Sequence, residues 1–356
     1  MDFAELLNAY RGKRVLITGH TGFKGSWLSL ILQLAGAEVT GYALPPNTSP
    51  ALFDLSGAAD GMRSVTGDIR ELESLRTAFW EARPEIVFHL AAQPIVLEGY
   101  RHPVETYETN VMGTVHLLEC VRGCDSVRSV LNVTTDKVYQ NPENGNAFTE
   151  SDRLDGYDPY SNSKSCSELV THSYRNSFLR DRDVRVSTAR AGNVIGGGDF
   201  ERDRIVPDCV RAALAGNSIR VRNPDSVRPY QHVLEPLFAY LLIACAQITD
   251  ASVQGAYNIG PNEEDCWTTG RLAETFCGLW GEGAAWKSEA HDGPHEAGLL
   301  RLDCAKMKRI FCWEPLWDAE TAMEKVVDWT KTYRDGGDVR ACMERQIQEY
   351  IQESKA

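Results

Sequence analysis

Tyr160 and Lys164 stand four residues apart in "YSNSK", a spacing that puts a phenol and an ammonium group on one face of a helix. A lysine cation beside a phenol favours the phenolate and lowers its pKa, so the tyrosine becomes a usable base near neutral pH. A second reactive cluster lies upstream, where "TTDKVY" sets Thr135, Asp136 and Lys137 in a row. The run leading into it, "VRSVLNVTT" (127–135), reads as a strand, which places the triplet at a strand's C-terminal end. Open α/β sheets gather their ligand chemistry there. Proton transfer by a phenol, a carboxyl group and an amine is the chemistry these residues could perform.

A third stretch, "GHTGFKGSWL" (19–28), could hold a phosphate-bearing cofactor. Lys24 comes before Gly25, so the register of a mononucleotide P-loop fails. Gly19, Gly22 and Gly25 remain, between the strand "RVLITG" (14–19) and an apolar helix (24–37). Glycines there allow a tight turn and let the backbone approach a pyrophosphate at a helix N-terminus. Thr21, Phe23 and Lys24 share the loop and join the glycines as cofactor-binding candidates. The acidic residue that would take the ribose hydroxyls is missing, because the second strand ends Gly41-Tyr42-Ala43-Leu44. No Lys or Arg lies between Lys24 and Arg63 to neutralise a 2′-phosphate. NAD is the expected cofactor, with NADP open. Asp68 and Ile69 are candidates to contact the adenine, Asp68 reading equally well as a helix cap.

The elements around these residues alternate. Strands are expected at 38–44, 65–69, 84–92, 127–135 and 184–196, and helices at 71–82, 104–122 and 158–178. Apolar strands in a βαβ rhythm imply a Rossmann-type, doubly wound parallel sheet covered on both faces. From about residue 198 turn-rich pieces alternate with helices, which suggests a smaller, mixed α/β substrate lobe. The expected domains are 1–197, binding the dinucleotide and carrying the catalytic residues, and 198–356, mainly the lobe with some segments returning.

The net charge of −13 argues against a nucleic-acid binder, which would show a basic face. The most apolar segments, "WLSLILQLAGAEV" and "LFAYLLIACAQI", are too short to span a bilayer. The first residues, "MDFAELLNAYRGKR", lack the apolar core of a signal peptide. Ten cysteines without a C-x-x-C pair read as reduced thiols of a cytoplasmic protein with no metal site.

Taken together, "GHTGFKGSWLSL", "GDIR", "PEIVFHLAAQP", "TNVMGTVHLLE", "TDKVY", "GYDPYSNSK", "RAGNVIGGGD", "RPYQHVLEP" and "HEAGLLRLD" resemble the extended short-chain dehydrogenases/reductases acting on nucleotide sugars. Within them the likeness is to the CDP-glucose branch of the 4,6-dehydratases. It runs from about residue 12 to 315, and the Asp136-Lys137 pair is among its specific parts, sister dehydratases usually carrying Asp-Glu. The resemblance implies a redox-neutral reaction on a nucleoside-diphosphate hexose. Tyr160 takes the 4-hydroxyl proton as the C4 hydride leaves to NAD, Thr135 steadies that oxygen, and Lys164 orients the ribose and tunes Tyr160. Asp136 then acts as general acid for loss of the C6 hydroxyl, and hydride returns to C6. Lys137 is by position the candidate base at C5, which requires a neutral amine; a salt bridge to Asp136 or to a substrate phosphate is its other reading.

The same resemblance adds Leu90, Ala91 and Ala92 to the cofactor contacts. It assigns Gln93, Asn193, Arg204, Arg228, His232 and Arg301 to the substrate, although Arg204, like Arg222, also reads as a surface charge. His295 and Glu296 read equally as structural. The helices 104–122 and 159–178 match the pair through which relatives form a homodimer. The segment "IVLEGY" departs from the pattern. Leu97 and Gly99 stand where an arginine and a serine are usual beside the sugar, leaving the hexose open, and Glu98 reads as solvated.

Overall fold

The β-branched runs of the first half become strands β1 (Arg14–Thr18), β2 (Glu38–Ala43), β3 (Arg63–Thr66), β4 (Ile86–His89), β5 (Ser129–Val133) and β6 (Arg185–Ala191). Further along lie β7 (Asn193–Ile195), β8 (Ile219–Val221), β9 (Val227–His232), β10 (Ala256–Ile259), β11 (Cys266–Thr268) and β12 (Trp286–Ser288). The structure, a computed structural model, describes residues 2–289 and 299–355, so His295 and Glu296 lie outside the described residues. Among the described residues one sheet holds seven strands in the order β10-β6-β5-β4-β1-β2-β3. Every pairing in it is parallel. The chain reverses direction across the sheet between β1 and β4, the switch point at which doubly wound sheets open a crevice at their strands' C-terminal ends.

Alternate residues of the strands feed two different cores, as a period of two demands. Val15, Ile17, Ile86, Phe88, Leu131 and Val133 join one apolar cluster, while Leu16, Val87 and Val130 join another. The first cluster is closed by the helices Phe23–Leu34, Leu234–Thr249 and Val339–Glu353, the second by Leu72–Ala82 and Gly113–Arg122. The apolar segment around residue 240 is therefore a core helix, and no described helix is long and apolar enough to cross a membrane. Through this helix and β10, residues beyond 198 complete the dinucleotide half. A third cluster builds the lobe, where β11-β9-β7 and β12-β8 pack with the helices Ile205–Leu214, Thr269–Trp280 and Ala319–Arg334.

Three local departures from the sequence reading bear on the site. The third strand is Arg63–Thr66, so Asp68 and Ile69 fall in the loop after it. The run 104–122 is a helix interrupted by a π-helical turn, Glu108–Met112. Asn110 explains the interruption: its Oδ1 accepts from the Gln93 N–H and its Nδ2 donates to the Gln93 carbonyl and Ser163 Oγ. The run 184–196 breaks at Gly192, where a Cβ would stand 2.6 Å from Pro229 Cγ and 3.4 Å from Asp136 Oδ2. That break lets β6 end in the large sheet and β7 enter the lobe.

Candidate active site

The crevice at the switch point opens into a cavity of about 820 Å³ between the glycine loop, the end of β5 and the lobe. A volume of this size suits a cofactor and substrate in contact. Gly19, Thr21, Gly22, Phe23, Lys24 and Gly25 line one wall, with Asp68, Ile69, Leu90, Ala91 and Ala92. Gly19 has φ +78°, and a Cβ on it would lie 2.7 Å from the Ala91 nitrogen. A Cβ on Gly25 would lie 2.2 Å from the Gly19 carbonyl oxygen. Both positions therefore demand glycine, and the turn brings bare backbone to the start of the helix Phe23–Leu34. No side chain caps that helix among the described residues, so its first N–H groups face the crevice for an anionic ligand. The loop fits a dinucleotide's pyrophosphate.

Lys24 donates to Tyr240 Oη at 3.5 Å. Burial, then the nearby Arg204 and Lys164 cations, lower its ammonium to about 7. Asp68 contacts Arg70 rather than capping the next helix, whose N-cap is Glu71. Its carboxylate accepts from the Arg70 N–H at 2.9 Å and from Nε and Nη2 at 2.9 and 2.6 Å.

The reactive side chains converge from two elements. Thr135 follows β5 and caps the short turn Asp136–Val138, and its hydroxyl donates to Asp136 Oδ1 at 3.0 Å. Lys137 Nζ lies 3.5 Å from the same oxygen. Asp136 is 1% exposed, and its Oδ2 has no hydrogen-bond partner among the described residues. Tyr160 and Lys164 come from the helix Pro159–Ser177, started by Asp158, which accepts from the Ser161 N–H at 3.0 Å, with Pro159 at its first position. Lys164 Nζ donates to the Val133 carbonyl at 3.1 Å.

Electrostatics here correct the simple expectation for Tyr160. Burial wins and pushes the phenol up to about 12, against the opposing pull of its hydrogen bond with Thr135 and the Arg204 cation. Burial also lowers the Lys164 ammonium to about 8, with Glu168 opposing.

Across the cavity stand Gln93, Asn193, Arg204 and Arg228. Arg204 is no free surface charge, since it pairs with Asp199 at 3.1 Å. Gln93 spends its amide on its own loop, donating to Thr106 and accepting from the Ile95 N–H. His232 requires a correction: it is 0% exposed, packs its ring against Trp27 and Trp317, and accepts from the Leu234 N–H. Burial holds its imidazole neutral, with a pKa lowered to about 3, so it is a core residue and no substrate contact. Arg301 does not line the cavity; its guanidinium pairs with Glu263 at 2.7 Å. Conversely Arg222, read as a surface charge, lines the cavity and pairs with Asp203. Leu97 and Glu98 line it too, and Gly99 lies against the helix Pro159–Ser177, where a Cβ would come 3.1 Å from the Tyr160 nitrogen.

Arg70 and Asp199 escaped the sequence reading because each matters only through its partner. Asp158 did not have to, since an aspartate before Pro159 is a helix-start signal.

A Rossmann sheet with a glycine loop, a strand-end Thr-Asp-Lys and a helical Tyr-x-x-x-Lys around one cavity defines the extended short-chain dehydrogenase/reductase class. Within it, the chain belongs to the family whose model is described as GDP-mannose 4,6 dehydratase and matches residues 16–326. It is 46% identical over 350 residues to a CDP-glucose 4,6-dehydratase of Salmonella typhimurium, covering 97% of this chain and 98% of that one. Among solved structures, a dTDP-glucose 4,6-dehydratase of Streptomyces venezuelae with NAD bound superposes with TM-score 0.77 at 25% identity, over 91% of this chain and 98% of that one. An epimerase of Methanothermobacter thermautotrophicus reaches TM-score 0.82 at 22% identity, over 95% of this chain and 97% of that one. Fold alone thus does not separate dehydration from epimerisation. The side chains must.

Proposed function

We propose that the protein converts CDP-glucose to CDP-4-keto-6-deoxyglucose with NAD as a resident cofactor. The observation that supports the reading is the Asp136–Lys137 pair beside Thr135 in the cavity lining, with one buried Asp136 oxygen that has no hydrogen-bond partner among the described residues. An epimerase or a C4 reductase needs no acid at C6, so this pair favours elimination over both. The 46% identity to a CDP-glucose enzyme supports the nucleotide and hexose.

Bound NAD would supply the redox chemistry, as acceptor and then donor of one hydride, and a positive charge. This chain's residues supply the rest. Tyr160 takes the 4-hydroxyl proton while Thr135 holds that oxygen, and charged Lys164 favours the phenolate. The resulting 4-ketone acidifies C5, whose proton neutral Lys137 takes, and protonated Asp136 gives its proton to the departing C6 hydroxyl; Lys137 returns its proton to C5 as hydride reaches C6. Arg204, Arg222 and Arg228 answer the diphosphate, for which a guanidinium fork is suited. Asn193 adds a donor.

The protein is read as a cytoplasmic homodimer. The free state of all ten cysteines supports a reducing compartment. Exposed Val104, Tyr107, Met112 and Leu169 on the helices at 103–122 and Pro159–Ser177 support pairing there.

Incubation with CDP-, dTDP-, GDP- and UDP-hexoses, followed by mass measurement, tests the proposal. Loss of one water from CDP-glucose is expected. Turnover without mass change would replace dehydration by epimerisation.

A further inference from the structure

Glu168 lies outside the cavity, yet it joins the helix of Tyr160 and Lys164 directly to Thr134, next to Thr135, and to β6. It stands four residues beyond Lys164 and eight beyond Tyr160, on the same face of the helix Pro159–Ser177. Its side chain is 4% exposed, and four donors fill its carboxylate. Oε1 accepts from Thr134 Oγ1 at 2.6 Å and Arg190 Nε at 3.0 Å; Oε2 accepts from Thr188 Oγ1 at 2.7 Å and Arg190 Nη2 at 2.8 Å. Thr134 immediately precedes Thr135 at the end of β5, and Thr188 and Arg190 belong to β6. Arg190 extends the chain of contacts, donating to Tyr139 Oη at 2.8 Å and to the Glu150 carbonyl at 3.1 Å. Tyr139 closes the turn that presents Asp136 and Lys137, and it donates in turn to Asn258 on β10.

We propose that Glu168 is a positioning residue of the reaction, fixing the catalytic helix over the ends of β5 and β6 and locking the Thr135–Lys137 turn to it through Arg190 and Tyr139. The inference rests on the dehydratase reading and deepens it. A buried carboxylate with four donors can move only if all four move, so the separation of Tyr160 from Asp136 is set by this clamp rather than by either loop. Helix and turn must approach one hexose from two directions. A misplacement on the order of 1 Å costs about 100-fold in such an arrangement.

The carboxylate has a second effect, on charge. Lys164 faces Lys24 from the glycine-loop helix and neutral His89 from β4. Burial opposes its charge, and Glu168 from its own helix is the anion that sustains it. Removing that anion lowers the pH at which Lys164 loses its proton.

The test compares Glu168→Gln, Glu168→Asp and Thr188→Val with wild type for kcat and KM on CDP-glucose across neutral and alkaline pH. NAD binding and Tm are measured beside them. For Glu168→Gln we expect kcat to fall about 10- to 100-fold with KM within about 2-fold and NAD retained. Its alkaline limb should move to lower pH. Glu168→Asp keeps the charge and should restore the limb while leaving kcat reduced. Thr188→Val removes one donor and no charge, so kcat should fall about 3- to 10-fold with the limb in place; it keeps the test open if the Gln variant does not fold. Rates that fall only in step with the folded fraction, with an unmoved limb in Glu168→Gln, would overturn the inference. Wild-type protein inert toward CDP-glucose would overturn the dehydratase reading and this inference together, whereas active wild type with unchanged variants overturns the inference alone.

Discussion

Asp136 and Glu235 are both buried carboxylates, and the protein treats them oppositely. Glu235 begins the core helix Leu234–Thr249 at 0% exposure, and both of its oxygens are occupied. It accepts from the N–H groups of Leu316 and Trp317 at 3.1 and 2.8 Å and bonds Tyr350 Oη at 2.7 Å. Asp136, at 1% exposure, has no partner for Oδ2 among the described residues, with a lysine amine near its other oxygen. A buried polar atom without a partner is costly, so a fold retains one only where something else offsets it. Glu235 joins the chain's C-terminal segments to the core helix. In the proposed reaction, Asp136 lacks an interaction that a substrate hydroxyl completes.

The contrast can be broken from either side. Asp136→Asn should lower kcat by about 10²- to 10⁴-fold, the range of a lost general acid, while leaving Tm within about 2 °C of wild type. Stopped-flow absorbance should then show NADH accumulating after C4 oxidation, because elimination stalls. A large loss of Tm would make Asp136 a structural acid like Glu235. The converse substitution, Glu235→Ala, strands two N–H groups and a phenol in the core and should cost about 3 to 5 kcal/mol in urea unfolding. Catalysis by the folded fraction should stay unchanged.

A smaller effect sharpens the contrast through pH. Burial raises the Glu235 carboxyl from 4.5 to about 7 in the folded protein. Between those values the folded chain holds a proton that the unfolded chain releases, so the group's contribution to stability is full below about pH 4.5 and gone once pH passes about 7. The shift corresponds to about 3 kcal/mol. Glu235→Gln, which keeps the shape without the titration, should flatten this part of the stability profile and exceed wild type at pH 8. Parallel profiles for the two proteins would place the titration elsewhere.

Local signals made much of this legible in the sequence. The glycine spacing, "TTDK" and "YSNSK" each depend on residues a few positions apart, and strand alternation reveals which faces are buried. What escaped depends on distance in space. Arg228 and His232 share one face of β9 by parity, and the motif suggested one role for both. Four residues of strand are about 13 Å, enough to carry His232 past the cavity wall and between two tryptophans. Arg222 and Arg204 looked like solvent charges because turn-rich sequence has no period to say which way a side chain faces. The π-helical turn at Glu108–Met112 follows from Asn110 reaching Gln93, seventeen residues earlier. The Glu168 network joins residues from 134 to 190 that no motif spans.

The central claim is that one hexose is oxidised, dehydrated and reduced again without leaving the site. It is tested most directly with CDP-glucose carrying deuterium at C4, the product being read by mass and by NMR. The account predicts a product lighter by one water with the label relocated to C6. Label still at C4, or lost to solvent with no water expelled, would contradict it.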